Sequence, residues 1–256
     1  MSEVHATLPF MTELAYMVRE DWGQNGTAME PQSAVIRDWL GAPPYVFATG
    51  DAKKYQSSNS ADREFVDFIA PAVADRRVVN FSDLRQLRNG AKSLSQALVI
   101  LHPYKEQDCE LLREIVDAGT VVRMFVIVWS PRDMVRTWLD GIGATNLHTD
   151  AAQAGPDAVQ LDAAKCWASE QYNGLSSGNG KDAVVQLLRV FTAAGYPLDA
   201  DTWLRAFFAA GGEFDEAEKV AKLIKEMQQG VKHRIKERYR PEILSVLRER
   251  AAELAT

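Results

Sequence analysis

Val121 to Trp129 (VVRMFVIVW) is the longest apolar run in the chain, interrupted only by Arg123. A run of that length, rich in β-branched and aromatic residues, reads as a strand buried on both faces. Ser130-Pro131 turns it. An amphipathic stretch follows, with Met134, Val135, Trp138, Leu139 and Ile142 on one stripe and glycines at its end. A strand feeding a helix in this way is the unit from which parallel α/β sheets are built.

The same alternation recurs around it. Tyr45–Thr49, Arg77–Phe81, Ala97–Leu101 and a short stretch in Ala144–His148 have strand length and apolar content. Between them lie helical patterns: Phe65 to Val73 with a kink at Pro71, a helix opened by Ser82-Asp83, and Lys105 to Ala118 closed by Gly119. This predicts an α/β domain with a three-layer, doubly wound, mainly parallel five-stranded sheet, Rossmann-like, over residues 43–150. Residues 11–22 and 31–40 read as two short helices, so that 1–42 form a helical entry. Beyond a Gly155-Pro156 linker the chain reads as an all-α C-terminal region, residues 151–256. Helices are expected over 158–172, 182–194, 199–210, 214–229 and, broken near Pro241, 231–254.

Composition excludes several classes. The net charge of −6 disfavours a protein coated for non-specific nucleic-acid binding. Cys109 and Cys166 make no disulfide framework, and with the four histidines they show no metal-ligand spacing, so no metal site is expected. Apolar runs are too short to span a bilayer, so no membrane partner is expected, and the start of the chain lacks a secretory pattern; cytoplasmic residence is the expectation.

In open parallel sheets, ligands bind beyond the carboxyl ends of the strands. That rule selects Thr49, Gly50 and Asp51 after the first strand, Lys53 in the polar loop behind them, Asn80 and Ser82 after the second, Tyr104 after the third, and Ser130 and Arg132 after the fourth. His102 is the candidate acid–base residue of the set, although no orienting partner is visible nearby in the chain. Ser130 with Asp133 also fits a helix cap, and Cys109 shares a face with Leu112 and Val116 as a structural thiol would.

Two later motifs remain. Gly174 to Asp182 imitates a phosphate loop, but its glycine spacing is one residue too long and Asp182 replaces the magnesium-binding Ser or Thr, so it reads as a helix–loop–helix connection. Lys232, Arg234, Lys236, Arg238 and Arg240 concentrate positive charge in what reads as an amphipathic helix. Such a helix suits a protein partner or a second copy of the chain, with nucleic acid the less favoured option. The expected function is binding of a small polar or anionic, nucleotide-like ligand at the carboxyl edge of the sheet; the alternative is a non-catalytic interaction protein that uses the basic segment. No pattern identifies a cofactor or a reaction.

Overall fold

A computed structural model describes residues 11–19, 29–57, 61–90 and 92–253. The chain is mixed α/β, with a seven-stranded, mostly parallel sheet and a helical C-terminal region. The strands are β1 (Glu13–Val18), β2 (Tyr45–Thr49), β3 (Arg76–Asn80), β4 (Leu98–Leu101), β5 (Arg123–Val128), β6 (Thr145–Asn146) and β7 (Ala151–Ala152). Their order is β3-β2-β4-β5-β1-β6-β7. All neighbours are parallel except β6 and β7. Five strands were expected and the described residues hold seven; the two additions are β1 and the two-residue β7.

The longest apolar run becomes β5, paired on one side with β4 and on the other with β1. β1 corrects the helix expected from residue 11. Leu14, Ala15 and Met17 favour a helix locally, but Glu13–Val18 registers residue for residue with Arg123–Val128. Pairing with a strand more than a hundred residues away overrides the local preference. The remainder of that expected helix, residues 20–22, lies outside the described residues.

Alternate residues face opposite sides of the sheet. Met17, Phe47, Val99, Leu101, Phe125 and Ile127 pack in one cluster with Ile36 and Leu40 of α1 (Met29–Leu40) and Phe65, Val66 and Ile69 of α3 (Ala61–Ile69). The residues between them, including Tyr16, Val46, Leu98, Ile100, Met124 and Val126, are buried as well. This explains why the strands read as continuous rather than alternating apolar runs. The polar stretch after β2 starts as a short helix, α2 (Ala52–Ser57), and its continuation at 58–60 lies outside the described residues. The helix expected after Ser82 is instead a 3-10 segment, Phe81–Gln86, and the first full helix after it is α4 (Glu106–Asp117).

The chain divides into two compact units. The first takes the described residues up to Arg136 together with Ala144–Ala152, and the second takes Thr137–Gly143 and the described residues from Gln153 onward. The division falls inside α5 (Met134–Gly141), the helix that follows β5. Its second half belongs to the helical unit: Trp138 meets Phe214 at 5.7 Å, and Thr137 Oγ1 donates to Asp201 Oδ1 at 3.1 Å. The other helices of that unit are α6 (Ala158–Glu170), α7 (Gly178–Ala193), α8 (Ala200–Ala209), α9 (Phe214–Gln228) and α10 (Ile243–Glu253). Trp167, Trp203 and Phe191 stack at its centre, with ring centroids 4.9 to 5.0 Å apart along the series.

The loop that imitated a phosphate site connects α6 to α7, and its amide at Leu175 is already engaged. Leu175 N donates to the buried Glu216 carboxylate at 2.6 Å, and Lys219 Nζ reaches the same carboxylate at 2.7 Å. Glu216→Ala strands that amide, while Lys219 keeps Asp215, and is expected to cost about 2 kcal/mol in chemical denaturation, the scale for a hydrogen bond to a charged group. Glu216→Gln should recover part of it.

Residues 231–240 correct a second expectation: they form no helix. Gly230, at φ +85°, ends α9, and Pro241 disfavours helix at the residue before it. A helix would also stack Lys232, Lys236 and Arg240 four residues apart, where like charges repel. Gln186 holds the segment instead, its Oε1 accepting from Arg238 N at 2.7 Å and Tyr239 N at 2.9 Å, and its Nε2 donating to Tyr239 O at 2.7 Å.

Candidate functional site

The chain leaves β2 for the edge strand β3 and returns on β2's other side as β4. Crevices open where strand order reverses in this way, at the carboxyl ends. A cavity of about 450 Å³ lies there, lined among others by Gly50, Asn80, Ser82, Arg85, Arg88 and Lys105 and by Asp108, Glu110 and Glu114 of α4.

Each wall follows from local structure. Gly50 has nothing within 4 Å of where a Cβ would stand, so the end of β2 is open. Asn80 Oδ1 accepts from Ala52 N at 2.9 Å, and Asn80 N donates to Asp83 Oδ2 at 2.9 Å, which joins the end of β3 to the start of α2 and caps the 3-10 segment. That segment buries Phe81 and Leu84 and leaves Ser82, Arg85 and, beyond it, Arg88 exposed.

The charges are unequally matched. Glu110 is engaged by Arg113, with Nε at 2.8 Å, and Glu114 by Arg88 at 3.5 Å. Arg85 and Lys105 have no ion pair among the described residues, and both act electrostatically on Asp108. Burial raises the Asp108 carboxyl above its usual value, against those two cations. The cavity therefore offers two cations without an ion pair among the described residues, a third shared with Glu114, and the Ser82 hydroxyl, the Asn80 side chain being held by Ala52 N and Asp83.

Three of the residues selected from sequence, Gly50, Asn80 and Ser82, line this cavity. The others stand elsewhere. Thr49 is buried at the end of β2. Asp51 accepts from Lys53 N and Lys54 N, both at 3.0 Å, and so caps α2, while Lys53 is exposed on that helix. Tyr104 is exposed, with Lys105 Nζ 5.8 Å above its ring. Ser130 Oγ accepts from Arg132 N at 3.2 Å and Ser130 N donates to Asp133 Oδ2 at 2.9 Å, a closed turn that leaves the Arg132 side chain exposed. Arg85, Arg88 and Lys105 carried a faint sequence signal: two arginines three residues apart just after the second strand, and a lysine at the start of the helix after the third.

His102, at the end of β4, has an orienting partner that the chain order conceals. Its Nδ1 lies 2.7 Å from Asp62 Oδ1 on α3, and Arg19 approaches the same carboxylate at 3.7 Å. The imidazole meets the Trp129 ring edge-on at 4.1 Å, and Arg19 sits 4.4 Å from that ring's centroid. His102 holds a left-handed backbone at φ 49°, an uncommon conformation for a residue with a Cβ. Its Nε2 is buried with no hydrogen-bond partner among the described residues. With Nδ1–H donated to Asp62, Nε2 is the basic nitrogen.

Cys109 is a structural thiol. It is buried, its Sγ lies 3.2 Å from Pro103 O, and burial pushes the thiol up to about 12. The protonated form is favoured in the fold, so this contribution to stability is complete below the unfolded thiol's value near 8.5 and disappears as pH rises through about 12. Native protein at pH 8 should leave Cys109 unmodified by a thiol reagent, with modification on the timescale of unfolding; rapid labelling in the native state would contradict this. Among the described residues no group of three His, Cys, Asp or Glu could hold a metal ion, and no helix is long and apolar enough to cross a membrane. Comparison with protein families, curated proteins and solved structures finds no match for this chain.

Proposed function

We propose that the protein binds a small, phosphate-bearing ligand of the nucleotide class in the crevice over the carboxyl edge of its sheet. The observation that carries this reading is the meeting of Gly50, Asn80 and Ser82 with Arg85, Arg88 and Lys105 around one cavity beside the reversal of strand order. A doubly wound, three-layer arrangement is the fold reading that goes with it. The crevice cations suit phosphate oxygens, and the carboxylates of α4 suit the hydroxyls of a sugar.

The acid–base candidate is His102, held by Asp62; it stands outside the cavity lining, so ligand binding in this reading does not depend on it. The protein acts in the cytoplasm and requires no membrane. A thermal-shift series with ATP, ADP, NAD, inorganic phosphate and an uncharged nucleoside tests the binding step. Phosphate-bearing compounds should raise the melting temperature, and the nucleoside should not. At a hundredfold excess over Kd the stabilisation is about 2.7 kcal/mol. No shift with any phosphate-bearing compound at 10 mM sinks the proposal.

A further inference from the structure

The segment Val231–Arg240 has a feature that its sequence conceals when read as a helix. Lys232, Arg234, Lys236, Arg238 and Arg240 are all exposed, while His233, Ile235 and Tyr239 between them are half-buried or better. The tucked positions are tied down: Arg189 Nη2 donates to His233 O at 2.6 Å, His233 Nε2 faces Glu226 at 3.5 Å, and Gln186 grips the backbone at Arg238 and Tyr239. Burial raises the Tyr239 phenol far above its usual value, in keeping with a ring turned inward. A burial alternation of period two is that of an extended chain, in which next-but-one residues stand about 6.6 Å apart and point the same way. The alternation holds from Lys232 to Lys236 and lapses at Glu237, itself exposed, where the amides of Arg238 and Tyr239 turn to one acceptor; Lys232, Arg234 and Lys236 stand in a row, and Arg238 and Arg240 continue the exposed run beyond it. Of these, Arg238 is paired, with Glu170 at 2.9 Å; Lys232, Arg234, Lys236 and Arg240 have no ion pair among the described residues. Within the segment, Glu237 is the sole carboxylate to set against them.

We propose that this run is a binding ledge for single-stranded nucleic acid. A dense run of like charges on a fixed backbone, four of them without an ion pair among the described residues, matches a polymer with one negative charge per repeat. Tyr172, 82% exposed and two residues beyond Glu170, adds an aromatic face near the Arg238 end of the run, and base stacking on such faces is what single strands offer and duplexes withhold. Recognition is through the phosphates, so it is tolerant of sequence and sensitive to salt.

The test is fluorescence anisotropy of labelled oligo-dT and oligo-U 20-mers with the full chain, against a duplex of equal length and a poly-glutamate peptide. Binding should be tightest to the single strands and should weaken steeply with salt. In a variant with Lys232, Arg234, Lys236 and Arg240 all changed to Glu, affinity should drop at least tenfold. With the same four changed to Gln, the slope of log K against log salt should shrink by roughly 3, from about 0.7 per lost phosphate contact. Both variants should melt as the parent does, since none of the four side chains is paired in the fold. Should the Glu variant fail to fold, the Gln variant carries the test alone. Tyr172→Ala should weaken oligo-dT binding without changing the salt slope. Absence of oligonucleotide binding at 50 mM salt, equal or tighter binding of poly-glutamate or duplex, or an unchanged affinity in the variants overturns the proposal. The crevice cations Arg85, Arg88 and Lys105 belong to the other compact unit, so removing them should leave oligonucleotide binding intact.

Discussion

Gly141→Ala should destabilise the protein by about 2 kcal/mol, measured as a shift in denaturant midpoint at constant slope. A Cβ at Gly141 would lie 2.6 Å from the carbonyl oxygen of Arg205 and 3.2 Å from its Cα. Those are backbone atoms of α8, so relief requires moving one helix off another rather than rotating a side chain. Alanine's better helix propensity recovers only about 1 kcal/mol, while overpacking a closed contact costs about 1–3 kcal/mol or more. Local losses add to this, because α5 and α8 are also joined by the hydrogen bond from Thr137 to Asp201. Gly155→Ala is the control. Nothing lies within 4 Å of its would-be Cβ, and its stability should be unchanged. A Gly141→Ala protein as stable as the parent would show that the close crossing of α5 and α8 does not exist in solution.

Removal of the three crevice cations, Arg85→Ala, Arg88→Ala and Lys105→Ala together, should weaken phosphate-bearing ligands by at least a hundredfold. Hydrogen bonds to charged groups are worth about 1.5–3 kcal/mol each, so losing two of them already exceeds that factor. Arg85→Ala and Lys105→Ala singly should each cost roughly tenfold. Arg88→Ala should cost less, because Glu114 already shares that guanidinium. Stability should hold in all of them, since these are exposed side chains. Calorimetric titration with the strongest ligand of the thermal-shift series reads the result, and an unchanged Kd in the triple variant would remove the crevice from the reaction of the protein with its ligand.

The crevice was half legible. The rule that ligands gather at the carboxyl ends of parallel strands pointed to Gly50, Asn80 and Ser82 without any motif. It also gathered Asp51, Ser130 and Arg132, because a residue that caps a helix and a residue that meets a ligand occupy the same turn and have the same chemistry. Only the hydrogen bonds separate them: Asp51 and Ser130 already serve backbone amides of their own turns. Asp62 could not be assigned to His102 from the chain, since the two are forty residues apart on different elements and meet only where α3 crosses the end of β4.

Local chemistry alone determined a good deal. Continuous apolar runs of strand length were destined for a sheet covered on both faces, and β2, β4 and β5 are where those runs stand. The stripes of Val184, Leu187, Leu188 and Phe191, and of Trp203, Leu204, Phe207 and Phe208, were destined for a helical core. Tertiary structure decided what local chemistry leaves balanced. Glu13–Val18 has the propensity of a helix and became a strand because β5 supplied an edge to pair with. The helix after β5 is amphipathic either way, and only packing assigned its second half to the helical unit. Lys232 to Arg240 carries the same charge in either conformation. Capped by Gly230 and Pro241 and gripped by Gln186, it became an exposed, non-helical run of cations rather than two flanks of a helix. Periodicity is a property of a segment, whereas a pairing partner is a property of the whole chain.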